Sequence, residues 1–342
     1  MVRVGIIGLG FMGTAHFGHY TNNPSVRIVA LCDKIEARRK GDFSGVGGNL
    51  AAAGGSGVDL SQVAGYADPA GLIADANVDL VDICLPTDLH ATYAVAALKA
   101  GKHVINEKPM ALTAVDCNRI VATAARARGY YMVAQCIRFW PVYALAKQIV
   151  DSGRLGKLRQ IYLERVAGTP RYSTENWLLD AKRSGGAIFD LHVHDTDYAN
   201  YLAGVPAAVS AVGVKGESGG WDDITANLTY PKGVVATVRG TWSYPNKWPF
   251  EMVFTLRCEK GTVHWRMTSG KPLQVITNDG IETPAVPDGD GWGEELKYFV
   301  GCIESKKRPR IVTAKTSRDS IRVVLAEAKS AAARGKVVKL TR

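Results

Sequence analysis

Nothing in this chain of 342 residues approaches the ~18 to 20 uninterrupted apolar residues of a membrane span. Its first residues form a strand-like apolar run and lack the charged-then-apolar order of a secretory leader. A cytoplasmic protein without membrane association is therefore expected. Charged residues are sparse at 22%, against 46% hydrophobic residues, and a chain this long and this apolar predicts two cores. The six cysteines (Cys32, Cys84, Cys117, Cys136, Cys258 and Cys302) are scattered with no CxxC pair, which argues against a zinc ribbon or a disulfide framework and predicts reduced, buried thiols. Acidic residues are the scarcer sign, 32 against 42 basic, for a net charge of +10. The basic residues cluster only at 38–40, at 306–310 and near the C-terminal end. This reads as solvated surface and not as a nucleic-acid footprint, with a field that aids capture of an anionic cofactor or acidic substrate. There is no internal repeat.

What is present begins with glycine. An apolar run over residues 2–9 meets Gly8-Leu9-Gly10-Phe11-Met12-Gly13, and a helical pattern continues through Ala15 and His16. Gly8 permits the tight turn, Gly10 lets the backbone approach a pyrophosphate at the helix N-terminus, and Gly13 lets helix and strand pack closely. A second apolar strand, 27–32, ends in Asp33, about 20 residues past the last glycine, where a carboxylate accepts from adenosine ribose hydroxyls. Asp33 would repel the 2′-phosphate of NADP, so NAD is the favoured cofactor and NADP the less favoured one. The run Arg38, Arg39, Lys40 is the counterweight.

The first part of the chain alternates strand and helix, with apolar runs at 78–85 and 103–106 around a helix at 91–100, the pattern of a parallel, doubly wound sheet. Residues 41–65 shift to Gly, Ala, Ser and Asn and read as an inserted flexible loop. After a helix at 114–128 and a short strand at 131–134, Arg138-Phe139-Trp140-Pro141 opens a different texture. Strand-like runs at 160–166, 209–214, 224–230, 234–242, 252–256 and 261–265, without crossover helices among the later ones, predict a mostly antiparallel sheet. Two helical patterns follow Trp292. The expected architecture is an α/β dinucleotide-binding domain over residues 1–129 and an α+β domain with a mostly antiparallel open sheet over 130–342, which serves substrate binding and oligomerisation and whose last helix, 315–334, packs back on the first domain.

Gly8-Leu9-Gly10-Phe11-Met12-Gly13, Leu85-Pro86-Thr87 with His90, Gly101-Lys102-His103-Val104 and Glu107-Lys108-Pro109, followed by Ser184-Gly185-Gly186 leading into Asp190, His194 and Asp197, resemble the glucose-fructose oxidoreductase / inositol dehydrogenase (Gfo/Idh/MocA) family over nearly the whole chain. The resemblance implies an N-terminal Rossmann domain, a C-terminal open sheet and an active site between them. It makes Lys108, His194 and Asp190 the catalytic candidates and implies a cis Lys108–Pro109 bond. It also implies a homo-oligomer, dimer or tetramer, mated through the sheet of the second domain. Gly8, Gly10, Phe11, Met12, Gly13, Asp33, Leu85, Pro86, Thr87, His90, Glu107, Lys108 and Arg138 become the candidate cofactor contacts, and Lys108, Arg138, Trp177, Asp190 and His194 the candidate substrate contacts. Two departures stand out. His192 occupies a position where many relatives have glycine, and Gln135-Cys136-Ile137 replaces the usual residues before Arg138.

The chemistry of these residues can be read without the name. Oxidising a secondary alcohol sends hydride to a nicotinamide while a base takes the hydroxyl proton, so a tunable base must sit beside the cofactor. A lysine's ordinary pKa of ~10.4 must fall for that task, and both a desolvated cleft and a positive nicotinamide ring push it down. On one helix, Asp190, His194 and Asp197 at i, i+4 and i+7 share a face, and a carboxylate can fix the tautomer of His194. Asp197 can instead serve helix packing. His192 and His194 lie about 200° apart on such a helix and cannot chelate one ion, so no metal is expected. Trp140, Tyr143, Trp177, Trp242, Tyr244 and Trp248 can stack on a sugar, although core or sheet-face positions are the more ordinary reading for most of them. The expected activity is hydride transfer between NAD(H) and a secondary hydroxyl or carbonyl of a sugar, cyclitol or related polyol. The alternatives are a glycosidase that uses NAD transiently and a dinucleotide sensor without turnover, against which the retained acid/base set argues.

Overall fold

The computed structural model describes residues 1–48 and 59–340. The chain divides into two compact units, the first comprising Met1–Cys136, Tyr172–Trp177 and Trp292–Arg318, the second Ile137–Arg171, Leu178–Gly291 and Asp319–Arg342. The first unit's leading segment thus ends at Cys136, a few residues past the expected division at 129/130 and just before the texture change at Arg138.

The first unit opens with β1 (Val2–Ile7), α1 (Phe11–Thr21), β2 (Val26–Cys32), α2 (Glu36–Arg39), β3 (Ala64–Tyr66), α3 (Pro69–Ala74), β4 (Leu80–Ile83), α4 (Thr87–Lys99), β5 (His103–Glu107), α5 (Ala114–Arg126) and β6 (Tyr131–Ala134). Its six strands run in the order β3-β2-β1-β4-β5-β6, and each pairing is parallel. The central strands are buried on both faces, as a sheet covered on both sides by crossover helices requires: every residue of β4, Asp82 included, is buried, as is nearly all of β1. Sequence signals fix two of the helix starts. Asp68 caps α3 by accepting from Ala70 N–H with Pro69 following, and Thr113 caps α5 by accepting from Asp116 N–H. Of the glycine-rich segment, residues 49–58 lie outside the described residues. Its end is not loop throughout, because β3 begins at Ala64 and pairs with β2. Three residues are too few for a periodicity signal.

The second unit contains α6 (Pro141–Asp151), β7 (Leu158–Gly168), α7 (Ala181–Ser184), α8 (Ala187–Asp190), α9 (Val193–Ala203), β8 (Ala208–Lys215), β9 (Trp221–Thr229), β10 (Val235–Tyr244), β11 (Glu251–Cys258), β12 (Thr262–Arg266), β13 (Gln274–Thr277) and β14 (Gly280–Glu282). α10 (Gly291–Glu304) falls from Trp292 onward in the first unit, while α11 (Ala314–Ala332) from Asp319 onward, with β15 (Val338–Lys339), returns to the second. The nine-stranded sheet is ordered β14-β13-β12-β11-β7-β10-β9-β8-β15, antiparallel except for the central β7/β10 pair. The buried and less buried residues of β9 alternate, as one covered face demands.

α10 belongs to the first unit from Trp292 onward, and α11 is divided: its residues up to Arg318 fall in the first unit and the rest is stitched into the second by buried polar contacts. The Ser320 hydroxyl donates to Asp197 at 2.7 Å, the Thr196 hydroxyl donates to Glu327, Glu327 also lies 3.1 Å from His192 Nε2, and the Ser330 hydroxyl accepts from Ala211 N–H at 2.8 Å. The apolar period of α11 marks it as amphipathic and carries no information about which core it faces.

His192 is fully buried, and β10 makes room for its ring with Gly240. A Cβ at Gly240 would stand 2.6 Å from His192 Cβ and 2.9 Å from its Cα. Gly240→Ala is expected to destabilise the protein by about 1–3 kcal/mol, the usual cost of overpacking, measured as a lower denaturant midpoint. An unchanged midpoint would refute the close packing.

Candidate active site

In the first sheet the strand order reverses between β1 and β4, the switch point at which open α/β sheets bind ligands at their carboxyl ends. Gly8 follows β1 with φ +89°, and a Cβ there would lie 2.5 Å from the carbonyl oxygen of Cys84, which follows β4. A Cβ at Gly13 would be 1.8 Å from the Gly8 carbonyl oxygen, so only glycine lets α1 descend this close to the turn. Gly10 differs: a Cβ there meets nothing within 4 Å, which is the open approach a pyrophosphate needs. No side chain caps the N-terminus of α1, so its leading N–H groups are available to an anion. The glycine turn thus fits a dinucleotide.

Asp33 closes the far end of this cradle. Its carboxylate accepts from Leu9 N–H at 2.7 Å and from Ile35 N–H at 2.8 Å, tying the end of β2 to the glycine turn. The basic run after it is already engaged. Arg38 lies 3.8 Å from Asp33 and donates to the Thr174 hydroxyl, Arg39 donates to the Asp33 carbonyl at 2.6 Å, Lys40 pairs with Glu36, and Lys34 pairs with Glu175. Phe11, half-buried like Met12, has its ring centroid 6.1 Å from that of Tyr172 and 5.9 Å from that of Trp292. The segment Tyr172–Trp177, which includes half-buried Trp177, belongs to the first unit, so Trp177 lies in the same unit as the glycine turn. Sequence reasoning missed Tyr172, Thr174 and Glu175, because their partners Phe11, Arg38 and Lys34 are more than a hundred residues away in the chain and no motif links them.

After β4 come Leu85 and Pro86, both half-buried, and then buried Thr87, the first residue of α4; Lys108, half-buried, follows β5, and the Lys108–Pro109 peptide is cis. Two of the expected cofactor contacts are turned inward. His90 is 1% exposed, and its nitrogens lie 2.8 Å from the carbonyl oxygens of Pro109 and Leu85, so the ring couples two loops. Burial lowers the pKa of His90, although both carbonyls favour its protonated form. Glu107 is also buried. One carboxylate oxygen accepts from Lys108 N–H at 3.0 Å and the other lies 3.4 Å from His16 Nε2.

In the second unit, the single helix face expected for Asp190, His194 and Asp197 is divided. Asp190 is the last residue of α8, half-buried, and Leu191 and His192 separate it from α9, where His194 is the second residue and 9% exposed. Asp197 serves packing, accepting two hydrogen bonds of 2.7 Å from Arg138 besides that from Ser320. Arg138 is itself only 4% exposed and lies over the Tyr201 ring. Asp195 is paired with Arg165; burial pushes its carboxyl pKa up against the pull of that guanidinium. His192 faces Glu327, and among the described residues no metal-competent cluster includes it. Of the aromatic candidates, Tyr143 and Trp242 lie in the core, while Tyr244 and Trp248 pack against each other with ring centroids 4.5 Å apart and planes tilted by 47°.

Residues 2–135 match the oxidoreductase family described as having an NAD-binding Rossmann fold, and residues 143–264 match the C-terminal domain of the same family, GFO/IDH/MocA. The chain is 34% identical over 347 residues to levoglucosan dehydrogenase of Pseudarthrobacter phenanthrenivorans, covering 89% of this chain and 86% of that one. The chain belongs to the Gfo/Idh/MocA oxidoreductase family. It is also 27% identical over 320 residues to inositol 2-dehydrogenase of Rhizobium meliloti, 89% of each chain. Levoglucosan dehydrogenase in complex with NADH and levoglucosan has the same fold, with a TM-score of 0.84 at 24% identity over all of both chains. Aldose-aldose oxidoreductase from Caulobacter crescentus, complexed with glycerol, gives 0.83 at 23% identity over 99% of each. As in other members of this family, the first domain is an NAD-binding Rossmann domain.

The two glycines of the turn make separable demands. Gly10→Ala should leave unfolding unchanged while weakening NAD binding about tenfold or more, a loss of at least 1.4 kcal/mol. Gly13→Ala should lower stability by about 1–3 kcal/mol or more. Calorimetric titration with NAD beside thermal unfolding separates the two, and unimpaired NAD binding in Gly10→Ala would remove the open-approach reading.

Proposed function

We propose that this protein is an NAD-dependent dehydrogenase that moves a hydride between the cofactor and a secondary hydroxyl or carbonyl of a sugar, cyclitol or related polyol. Lys108 of the first unit and His194 of the second serve as its acid/base groups, with Asp190 supporting His194. The carrying observation is that Lys108 follows β5 in the same parallel sheet that holds the glycine turn and Asp33, at the carboxyl ends where such sheets bind their ligands. The names of the relatives, levoglucosan dehydrogenase and inositol 2-dehydrogenase, support cyclic polyols as the substrate class. When bound, NAD would supply the hydride acceptor for the carbinol carbon. Lys108 or His194 takes the hydroxyl proton, and in the reverse direction gives it back. Asp33 orients the adenosine ribose through its hydroxyls, the N-terminus of α1 faces the pyrophosphate, and Thr87, Leu85 and Pro86 line the path from β4.

We also propose a homo-oligomer formed through the second sheet, a reading supported by the exposure of Val212, Val214 and Val235 on β8 and β10.

The test is reduced-nicotinamide absorbance with NAD, and separately NADP, across inositols, aldoses, anhydrosugars and sugar acids. Wild type should reduce NAD with at least one of these. Lys108→Ala and His194→Ala should each lose about 100- to 10,000-fold in kcat, the worth of a general acid/base group. Tight NAD binding with no absorbance change on any polyol would overturn the reading.

A further inference from the structure

Beneath Glu107-Lys108-Pro109, α1 places a fully buried histidine among acids. His16 Nδ1 lies 2.8 Å from the Asp82 carboxylate of β4 and 3.5 Å from Cys84 Sγ, and its Nε2 lies 3.4 Å from Glu107 Oε1. Glu295 of α10 brings a carboxylate oxygen within 4.8 Å of a His16 ring nitrogen and a Glu107 carboxylate oxygen, and Tyr20, on α1 itself, packs edge-on to the ring at 6.4 Å. These are the titratable groups that face His16 from α1, β4 and its end, β5 and α10.

A neutral imidazole carries one N–H, so between two carboxylates it would turn a lone pair toward one of them; an imidazolium presents an N–H to each. Burial opposes that charge, but the Asp82 carboxylate and Cys84 outweigh it and hold His16 well above the ordinary histidine range. Two buried carboxylates need a compensating cation, and His16 is placed to serve both. The second oxygen of Glu107 is the acceptor for Lys108 N–H at 3.0 Å. A chain of close contacts therefore runs from Asp82 through the His16 ring, whose Nε2 makes no hydrogen bond but stands 3.4 Å from Glu107 Oε1, and on through the Glu107 carboxylate to the backbone that carries Lys108.

We propose that His16, as a buried imidazolium, is a positioning residue for Lys108: it fixes the Glu107 carboxylate, which in turn fixes the main chain at Lys108. The inference rests on the reading of Lys108 as an acid/base group. His16 touches neither substrate nor reacting atoms in this scheme. It acts through the orientation of Glu107, and its loss should therefore appear in turnover and its pH dependence more than in cofactor affinity.

The linkage has a definite sign. A histidine whose folded pKa is raised adds stability that is fully present below about pH 6.5 and is lost as the pH climbs through the raised value. His16→Gln should flatten that alkaline decline in the unfolding midpoint.

The direct test is histidine 15N NMR of the NAD-bound protein at about pH 8, well above the ordinary histidine pKa of about 6.5. His16 should show two protonated nitrogens, and a single N–H there would overturn the proposal. Kinetics give the second arm. His16→Gln and Glu107→Gln should each lower kcat about tenfold or more with the KM for NAD within about twofold, and should displace the pH profile of kcat. The double variant should be no worse than the poorer single one, because both break one path. Wild-type kcat and pH profile in the single variants, or fully additive losses, would overturn it. If His16→Gln does not fold, Glu107→Gln and the wild-type NMR spectrum still decide. Lys108→Ala keeps the two readings apart. Turnover that survives this variant defeats the role of Lys108 while leaving the imidazolium signal intact, whereas a neutral His16 with an inactive Lys108→Ala defeats only the positioning.

Discussion

The close approach of α1 to the turn after β1 is the constraint on which the first unit depends. With a Cβ at Gly13 only 1.8 Å from the Gly8 carbonyl oxygen, no other residue lets the helix start where it does. That start sets three things at once. It aims the uncapped N–H groups of α1 at the mouth of the β1/β4 crevice, brings Leu9 N–H to the Asp33 carboxylate, and buries His16 one turn further along among Asp82, Cys84 and Glu107. Cofactor cradle and acid cluster are consequences of one helix–strand contact.

The second unit is built on different physics. Its α8–α9 segment is dense in ionisable residues, but the structure spends most of them on packing. Asp195 holds Arg165, Asp197 holds Arg138 and Ser320, and His192 faces Glu327. Breaking such a buried pair strands a charge, so these residues hold the segment in one arrangement more than they stabilise it. Asp190, half-buried, and His194, 9% exposed, are the two residues of this segment that the proposed catalytic reading uses.

Local signals were legible in the sequence and distant ones were not. The glycine turn, Asp33 at a strand end and the antiparallel runs of the second sheet follow from spacing and periodicity, because turn geometry and strand alternation act over a few residues. The resemblance added the cis Lys108–Pro109 bond, which the structure contains. The destination of α11, the return of Tyr172–Trp177 to the first unit and the burial of Arg138 depend on partners scores of residues away. His90 and Glu107 mark the same limit. The motifs mark their positions, but only coordinates show that their polar atoms face Pro109, Leu85, His16 and Lys108 N–H. One helix face for Asp190, His194 and Asp197 failed for a local reason, the interruption at Leu191 and His192 between two short helices.

The most direct measurement of the central claim, an NAD-selective dinucleotide site organised by the glycine turn and Asp33, is calorimetric titration of the intact protein with NAD and with NADP at matched ionic strength. The Asp33 carboxylate, held by Leu9 and Ile35 N–H, should make NAD the tighter ligand by about tenfold or more, at least 1.4 kcal/mol. Equal or tighter binding of NADP would show that Arg38 and not Asp33 governs that end of the site, and binding of neither would contradict the account.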